Sequence, residues 1–285
     1  NVVMGSEACS LLTTGSNNIV IGRSSFNAAD GTETGNIAIG TDAMGAVDEG
    51  SHGSATGDDN VAIGYQALLG GSFGSSNLQL AGNIAIGSYA MDATAANAQT
   101  GAVAIGFSAL TALTTGAGNI AVGYQALLQH TTGNNNIAIG KGAMDATAND
   151  VSAYQNIAIG TDALGGTWAS AHCDNNVAIG YQALDANMND AYKNIAVGNY
   201  ALGGIIGGFE NTAVGHQAGL GLTEGNYNVA IGRSALLQHT TGLRNIAIGA
   251  YAMDDTGADD CKTSTDNVFI GYNAGLGGTS TRAGN

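Results

Sequence analysis

Side chains able to do chemistry are few and scattered along the 285 residues. Five histidines, His52, His130, His172, His216 and His239, are the candidate proton carriers or metal ligands. Cys9, Cys173 and Cys261 are the candidate nucleophiles, and His172-Cys173-Asp174 sets imidazole, thiol and carboxylate side by side. Acidic pairs at Asp48-Glu49, Asp58-Asp59, Asp254-Asp255 and Asp259-Asp260 could offer oxygens to calcium, which takes six to eight. None of these groups has the partner spacing its chemistry needs. The His-Cys-Asp run lacks a second ligand pair, and the Gly-Gly-x-Gly-x-Asp nonapeptide of calcium-binding rolls is absent. His130 and His239 fill one slot of two near-duplicate stretches, Leu127–Gly133 and Leu236–Gly242, so the histidines read as copied, exposed loop residues. Cys9 reads as a core residue, and Cys173 and Cys261 as loop residues. The acidic pairs read as solvated charge, with calcium the one cofactor considered. Four Thr-Thr-Gly stretches, at Thr13, Thr114, Thr131 and Thr240, read as turns. No Ser/His/Asp triad, carboxylate cleft or phosphate loop is present, and the chain reads as non-enzymatic.

Aromatic residues are more regularly placed. Tyr65, Tyr124, Tyr181 and Tyr272 share one slot of a repeat, Phe107 shares it too, and Tyr89, Tyr200 and Tyr251 stand one residue later. Such rows suit weak glycan contact multiplied along a surface. The competing reading has the rings packing on their neighbours or covering a subunit seam.

The element that must position these rows is the repeat itself: Asn-Φ-Ala-Φ-Gly-x-x-Ala-Φ, with Φ aliphatic, then a tail of variable length. Units open at residues 1, 18, 36, 60, 83, 102, 119, 136, 156, 176, 194, 211, 228, 245 and 267, a single array over 1–285. Position 1 is Asn1, Asn18, Asn36, Asn60, Asn83, Asn119, Asn136, Asn156, Asn176, Asn194, Asn211, Asn228, Asn245 and Asn267, with Ala102 the exception. Position 5 is always glycine: Gly5, Gly22, Gly40, Gly64, Gly87, Gly106, Gly123, Gly140, Gly160, Gly180, Gly198, Gly215, Gly232, Gly249 and Gly271. Position 8 is Ala except at Ser25, and position 9 is Leu, Met, Phe or Cys except at Gly219 and Gly275, each followed by Leu.

Alternation with β-branched residues is the signature of a strand, and a helix would lose about 1 kcal/mol at each fixed Gly. Each unit therefore reads as two short strands joined by a Gly turn. One unit cannot offset its own ordering entropy, so equivalent units must stack as an all-β solenoid of about fifteen coils. In this reading Ile and Val at positions 2 and 4 point inward. Ala at 3 and 8 with Gly at 5 then leaves a smooth face open to another chain, and stacked Asn carboxamides form a ladder. Long tails such as 45–59, 70–82 and 254–266 project as loops.

Composition excludes several partners. With Asp+Glu 22 against Lys+Arg 7, the net charge is −15, which gives no footprint for nucleic acid. No apolar run approaches the roughly 18 residues needed to span a bilayer. The chain has 46 Gly and no Pro, as stacked central strands require, because Pro would delete a ladder donor.

The units Asn60–Leu68, Asn119–Leu127, Asn176–Leu184 and Asn228–Leu236 resemble the head repeat of trimeric autotransporter adhesins, and the arrays of phage and viral fibres. Unit lengths are longer and less regular here. The resemblance covers the whole chain and implies a left-handed parallel roll, three chains per fibre, and surface attachment through a host glycan or receptor. The expected location is extracellular, on a virion or cell surface. A phage or viral fibre is the first expectation. A bacterial adhesin head and a self-assembling filament or matrix protein are the alternatives. The only enzyme class weighed is the polysaccharide-cleaving tail spike. The array opens and closes in phase without polar caps, which reads as a piece of a longer array or an end-to-end stacking subunit.

Overall fold

The computed structural model describes residues 1–29, 31–48, 57–71, 79–93, 99–147, 153–168, 172–254 and 263–275. It falls into two compact units, Asn1–Lys141 and Gly142–Asn285. The first carries β1 Val2–Met4, β2 Ile19–Ile21, β3 Ile37–Ile39, β4 Val61–Ile63, β5 Leu80–Ala81, β6 Ile84–Ile86, β7 Gln99–Thr100, β8 Val103–Ile105, β9 Ile120–Val122 and β10 Ile137–Ile139. The second carries β11 Ile157–Ile159, β12 Val177–Ile179, β13 Ile195–Val197, β14 Thr212–Val214, β15 Val229–Ile231, β16 Ile246–Ile248 and β17 Val268–Ile270. Each strand is repeat positions 2 to 4, apart from the short pair β5 and β7. Within each unit the repeat strands stack parallel with position on position, as in Ile195↔Thr212 and Ala196↔Ala213. No helix occurs among the described residues. The fold is an all-β parallel solenoid. Eight repeat strands give seven full turns in the first unit and seven give six in the second, about 13 rather than the fifteen counted from repeat units.

The face assignment from sequence is reversed. Position 3 is buried throughout the inner coils: Ala38, Ala62, Ala104, Ala138, Ala178 and Ala230 are at most 1% exposed. Positions 2 and 4 point outward, and Ile63, Ile105, Ile139, Ile159, Ile179, Ile195, Val214 and Ile231 remain 36–41% exposed. A coil of 17 or 18 residues is narrow. Its interior is filled by Ala at 3, Ala at 8, Leu or Met at 9 and the Asn side chain, which leaves no room for two more β-branched residues per coil.

The second expected strand is also absent. Positions 7 and 9 adopt left-handed backbone, as at Gln66 and Leu68 (φ 53° and 46°) or Gln182 and Leu184 (φ 49° and 52°). The coil turns there and still bonds its neighbours: Leu68 N–H donates to Ala90 O at 2.8 Å and Leu184 N–H to Ala201 O at 3.0 Å. Left-handed backbone costs an L-residue roughly 1–2 kcal/mol, which explains why Gly142 stands at position 7 and Gly219 and Gly275 at position 9. Where Gly275 removes the large side chain, Phe269 replaces the usual Ala at position 3 of the same coil. A Cβ on Gly275 would lie 2.7 Å from the Phe269 ring.

Two devices hold the coils in register. The position-5 glycines have φ between 130° and 147°, a region essentially reserved for Gly. Gly64 shows the second reason: an added Cβ would lie 2.6 Å from the carbonyl carbon and oxygen of Gly87 on the next coil. The Asn side chains are buried latches. Asn176 Oδ1 accepts Asn194 N–H at 3.0 Å, and Asn176 Nδ2 donates to Ala191 O at 2.9 Å. The same pair of bonds links Asn194 to Asn211 and Gly208, Asn211 to Asn228 and Gly225, and Asn228 to Asn245 and Gly242. The sequence suggested carboxamides bonding one another. In the structure the backbone supplies most of the partners, and direct Nδ2-to-Oδ1 bonds such as Asn211 to Asn194 at 3.1 Å are additional. At Ala102 the chain of latches is broken, and no carboxamide oxygen is there for Asn119 N–H. The buried Gln99 side chain donates instead to Leu113 O at 2.8 Å, and its Oε1 has no partner among the described residues.

Candidate functional site

Stacking brings like positions of successive coils side by side, so any chemical feature of this protein is a row. In the first unit Tyr65, Tyr89, Phe107 and Tyr124 form one row over consecutive coils. Their ring centroids are 5.3, 5.7 and 5.6 Å apart; the first two contacts are edge-to-face and the third stacked. In the second unit Tyr181 meets Tyr200 edge-to-face at 5.3 Å, Tyr200 meets His216, and Tyr251 meets Tyr272. The four sequence-nominated tyrosines are thus linked to neighbours rather than isolated, yet Tyr65, Tyr124, Tyr181 and Tyr272 stay 41%, 47%, 40% and 74% exposed. Edge-to-face and offset pairs are favourable in themselves, so the rows are stable platforms that still present ring surface to solvent.

A further aromatic row escaped sequence reading. Tyr192 and Phe209 stack at 4.8 Å with an interplanar angle of 3°, and Phe209 meets Tyr227 edge-to-face at 5.3 Å. These residues stand one or two places before the next Asn, at spacings of 17 and 18, and that periodicity was the available signal. Beside them runs a row of charge. Lys193 Nζ lies 3.7 Å from Glu210 Oε1, and Arg244 makes a two-point contact with Asp266 at 2.6 and 2.7 Å.

Two histidines leave the surface where the sequence put them. His130 and His239 are fully buried, and burial pulls each imidazole down to about pKa 4. Their slot, three residues after position 9, is a core position: Val47, Leu113, Ile205 and Leu222 occupy it in other coils. His239 Nε2 lies 2.8 Å from Ser264 Oγ, while its Nδ1 has no partner among the described residues. His172 and His216 are at the surface, and His52 lies outside the described residues. Cys173, expected in a loop, is buried, and Cys9 is half-buried. His172 and Asp174 therefore flank a core thiol and do not form a cluster with it. Cys261 lies outside the described residues.

Of the acidic pairs, Glu49, Asp255, Asp259 and Asp260 lie outside the described residues. Asp58 Oδ1 accepts Thr34 N–H at 2.7 Å. Elsewhere Asp145, Asp162 and Asp185 lie close enough for charge repulsion: burial, then Asp162 and Asp145, push Asp185 up to about 6. Burial and Asp162 likewise raise Asp145. Among the described residues no group of three His, Cys, Asp or Glu is arranged to hold a metal ion, and no helix is long and apolar enough to cross a membrane. The loops at 45–59, 70–82 and 254–266 fall largely outside the described residues.

No known protein family and no curated protein matches this chain. What the chain can do chemically must therefore be read from its surfaces: an outward Ile/Val face in each unit, aromatic rows, and charge rows beside them.

Proposed function

We propose that the protein is the shaft or head of an extracellular adhesive fibre on a virion or cell surface. In this reading copies of the chain pack together, three to a fibre, as in the adhesin heads and phage fibres that the repeat resembles. The outward face of positions 2 and 4 carries the reading. In the second unit Ile159, Ile179, Ile195, Val214 and Ile231 are each more than a third exposed on successive strands. Side chains this exposed on five successive strands sum to an apolar face of several hundred Å², and a patch of that size on a soluble protein is often an interaction site. The Ala of positions 3 and 8, expected at the contact face, are buried in the inner coils, so in this reading the packing between chains falls to Ile and Val. Stiffness follows from stacked coils, and the exposed aromatic rows supply contact with a host glycan or receptor.

Light scattering across a concentration series tests the assembly. A fixed mass near three chains of 28.2 kDa is expected. Ile139→Asp together with Ile179→Asp should lower that mass while leaving the far-UV circular dichroism unchanged. A steady 28.2 kDa for the unmodified protein would sink the reading. A mass climbing without limit would replace it with a filament or matrix protein.

A further inference from the structure

The second unit carries an open cleft of roughly 430 Å³ lined by His172, Asp174, Asp190, Tyr192 and Lys193. Its walls come from two successive coils in register. Lys193 N–H donates to Asp174 O at 3.0 Å, and Asn175 N–H to Tyr154 O at 3.0 Å. Position by position, Asp174, Tyr192 and Phe209 each stand two residues before an Asn. Tyr192 and Phe209 stack in parallel, and Asp174 interrupts the row on the preceding coil. One face of Tyr192 is thus taken by Phe209, and the ring also lines the cleft.

Around that ring stand hydrogen-bonding groups of both kinds. His172 Nδ1 lies 3.2 Å from Asp190 Oδ1, and both side chains are exposed. The Asp174 carboxylate accepts from the Asn175 amide and retains further acceptor capacity. Lys193 Nζ lies 5.6 Å from the Tyr192 ring centroid and donates toward Glu210. The volume is in the range of ligand sites, and the lining divides about evenly between polar and apolar surface around a single ring. Such a lining suits a molecule with one apolar C–H face and a rim of hydroxyls. Two carboxylates against one ammonium, on a chain of net charge −15, disfavour an anion.

We propose that this cleft is a subsite for a neutral hexopyranose, seated on Tyr192 with its hydroxyls bonded by Asp174, Asp190, His172 and Lys193. The proposal rests on the adhesive reading above and locates one contact point within it.

The test uses the intact protein with methyl hexopyranosides and, for comparison, sialic acid, read by saturation-transfer NMR and a glycan array. Neutral pyranosides should take up saturation, and Tyr192→Ala should weaken binding about tenfold. Asp190→Asn, which keeps the residue's tolerance of left-handed backbone (φ 66°), should weaken it as well. Lys141→Ala, at an exposed residue outside both the cleft and the aromatic rows, should leave it unchanged. Circular dichroism and melting temperature check that each variant is folded. If Tyr192→Ala unfolds the coil, Asp190→Asn alone decides. Binding that survives the cleft variants but is lost in Phe107→Ala overturns the cleft and leaves the adhesive reading standing. Preference for sialic acid overturns the assigned sugar class. Absence of any glycan binding overturns both.

Discussion

Replacing Gly64 by Ala isolates the two demands made on every position-5 residue. The backbone at Gly64 has φ 138°, and holding an L-residue in so sparsely populated a region costs about 1–3 kcal/mol. The new methyl would also lie 2.6 Å from Gly87 C and O and 3.0 Å from Ser88 N. That is backbone on backbone, so the coils must separate, and overpacking of this kind costs about 1–3 kcal/mol more. Gly82→Ala is the matched control in the same unit. Gly82 has φ 66° and nothing within 4 Å of an added Cβ, so only the left-handed backbone is charged, about 1 kcal/mol. Gly64→Ala should therefore lose about 2–6 kcal/mol and exceed Gly82→Ala by about 1–5 kcal/mol. Urea titration followed by circular dichroism gives the totals. Because solenoid coils open locally, hydrogen exchange should show Gly64→Ala exposing Gly87 N–H, which donates to Ile63 O at 2.8 Å. Equal losses for the two variants would refute the claim that the glycines are dictated by coil-to-coil approach.

Acid should destabilise the protein between pH 6.5 and 4. His130 and His239 titrate near 4 when folded and near 6.5 when unfolded, so the unfolded chain binds more protons in that window and stability falls as pH drops. Each contributes about 3 kcal/mol at the lower limit. Asp185, raised to about 6, works in the opposite sense, but it is half-exposed and screened to about 1 kcal/mol, so the histidines win. His130→Leu with His239→Leu should flatten the dependence of melting temperature on pH. A second prediction concerns Phe269 and Gly275. Gly275→Leu alone should be destabilising, and adding Phe269→Ala should recover part of the loss, with a coupling of about 1–3 kcal/mol in a double-mutant cycle. Finally, Ala102→Asn should restore the missing latch to Asn119 N–H and gain about 1 kcal/mol in urea titration. A loss there would mean that Gln99 already fills the space.

Much of this fold was legible before the structure. Asn, Gly and the aliphatic triplet marked the strands and their stacking because each answers a requirement that recurs in every coil. The facing of Ile-Ala-Ile was not legible, because an alternation of period 2 reads equally well from either side. Only the narrowness of the coil decides it, and that depends on Leu68 or Leu184 already occupying the interior. The left-handed backbone at positions 7 and 9 left a trace in Gly142, Gly219 and Gly275, of which only the last two stand out in the sequence as exceptions. His130 and His239 were misplaced because residue type was weighed above slot, although Leu113 and Leu222 already marked the slot as core. The aromatic rows were half legible: Tyr65 and Tyr124 shared a position, but Tyr89, one residue later, is what joins them through Phe107.

The Asn latch has a consequence for how such a chain changes over generations. From Asn18 to Asn36 the chain runs 18 residues and from Asn36 to Asn60 it runs 24, yet the oxygen of the first Asn meets the amide of the second at 2.9 Å in both. Each latch resets the register, so an insertion in one tail is forgotten by the following coil. Whole coils are thus interchangeable parts, and a gene of this kind can gain or lose them by unequal recombination without breaking the register of those that remain. The twin stretches Leu127–Gly133 and Leu236–Gly242 are what such copying leaves behind.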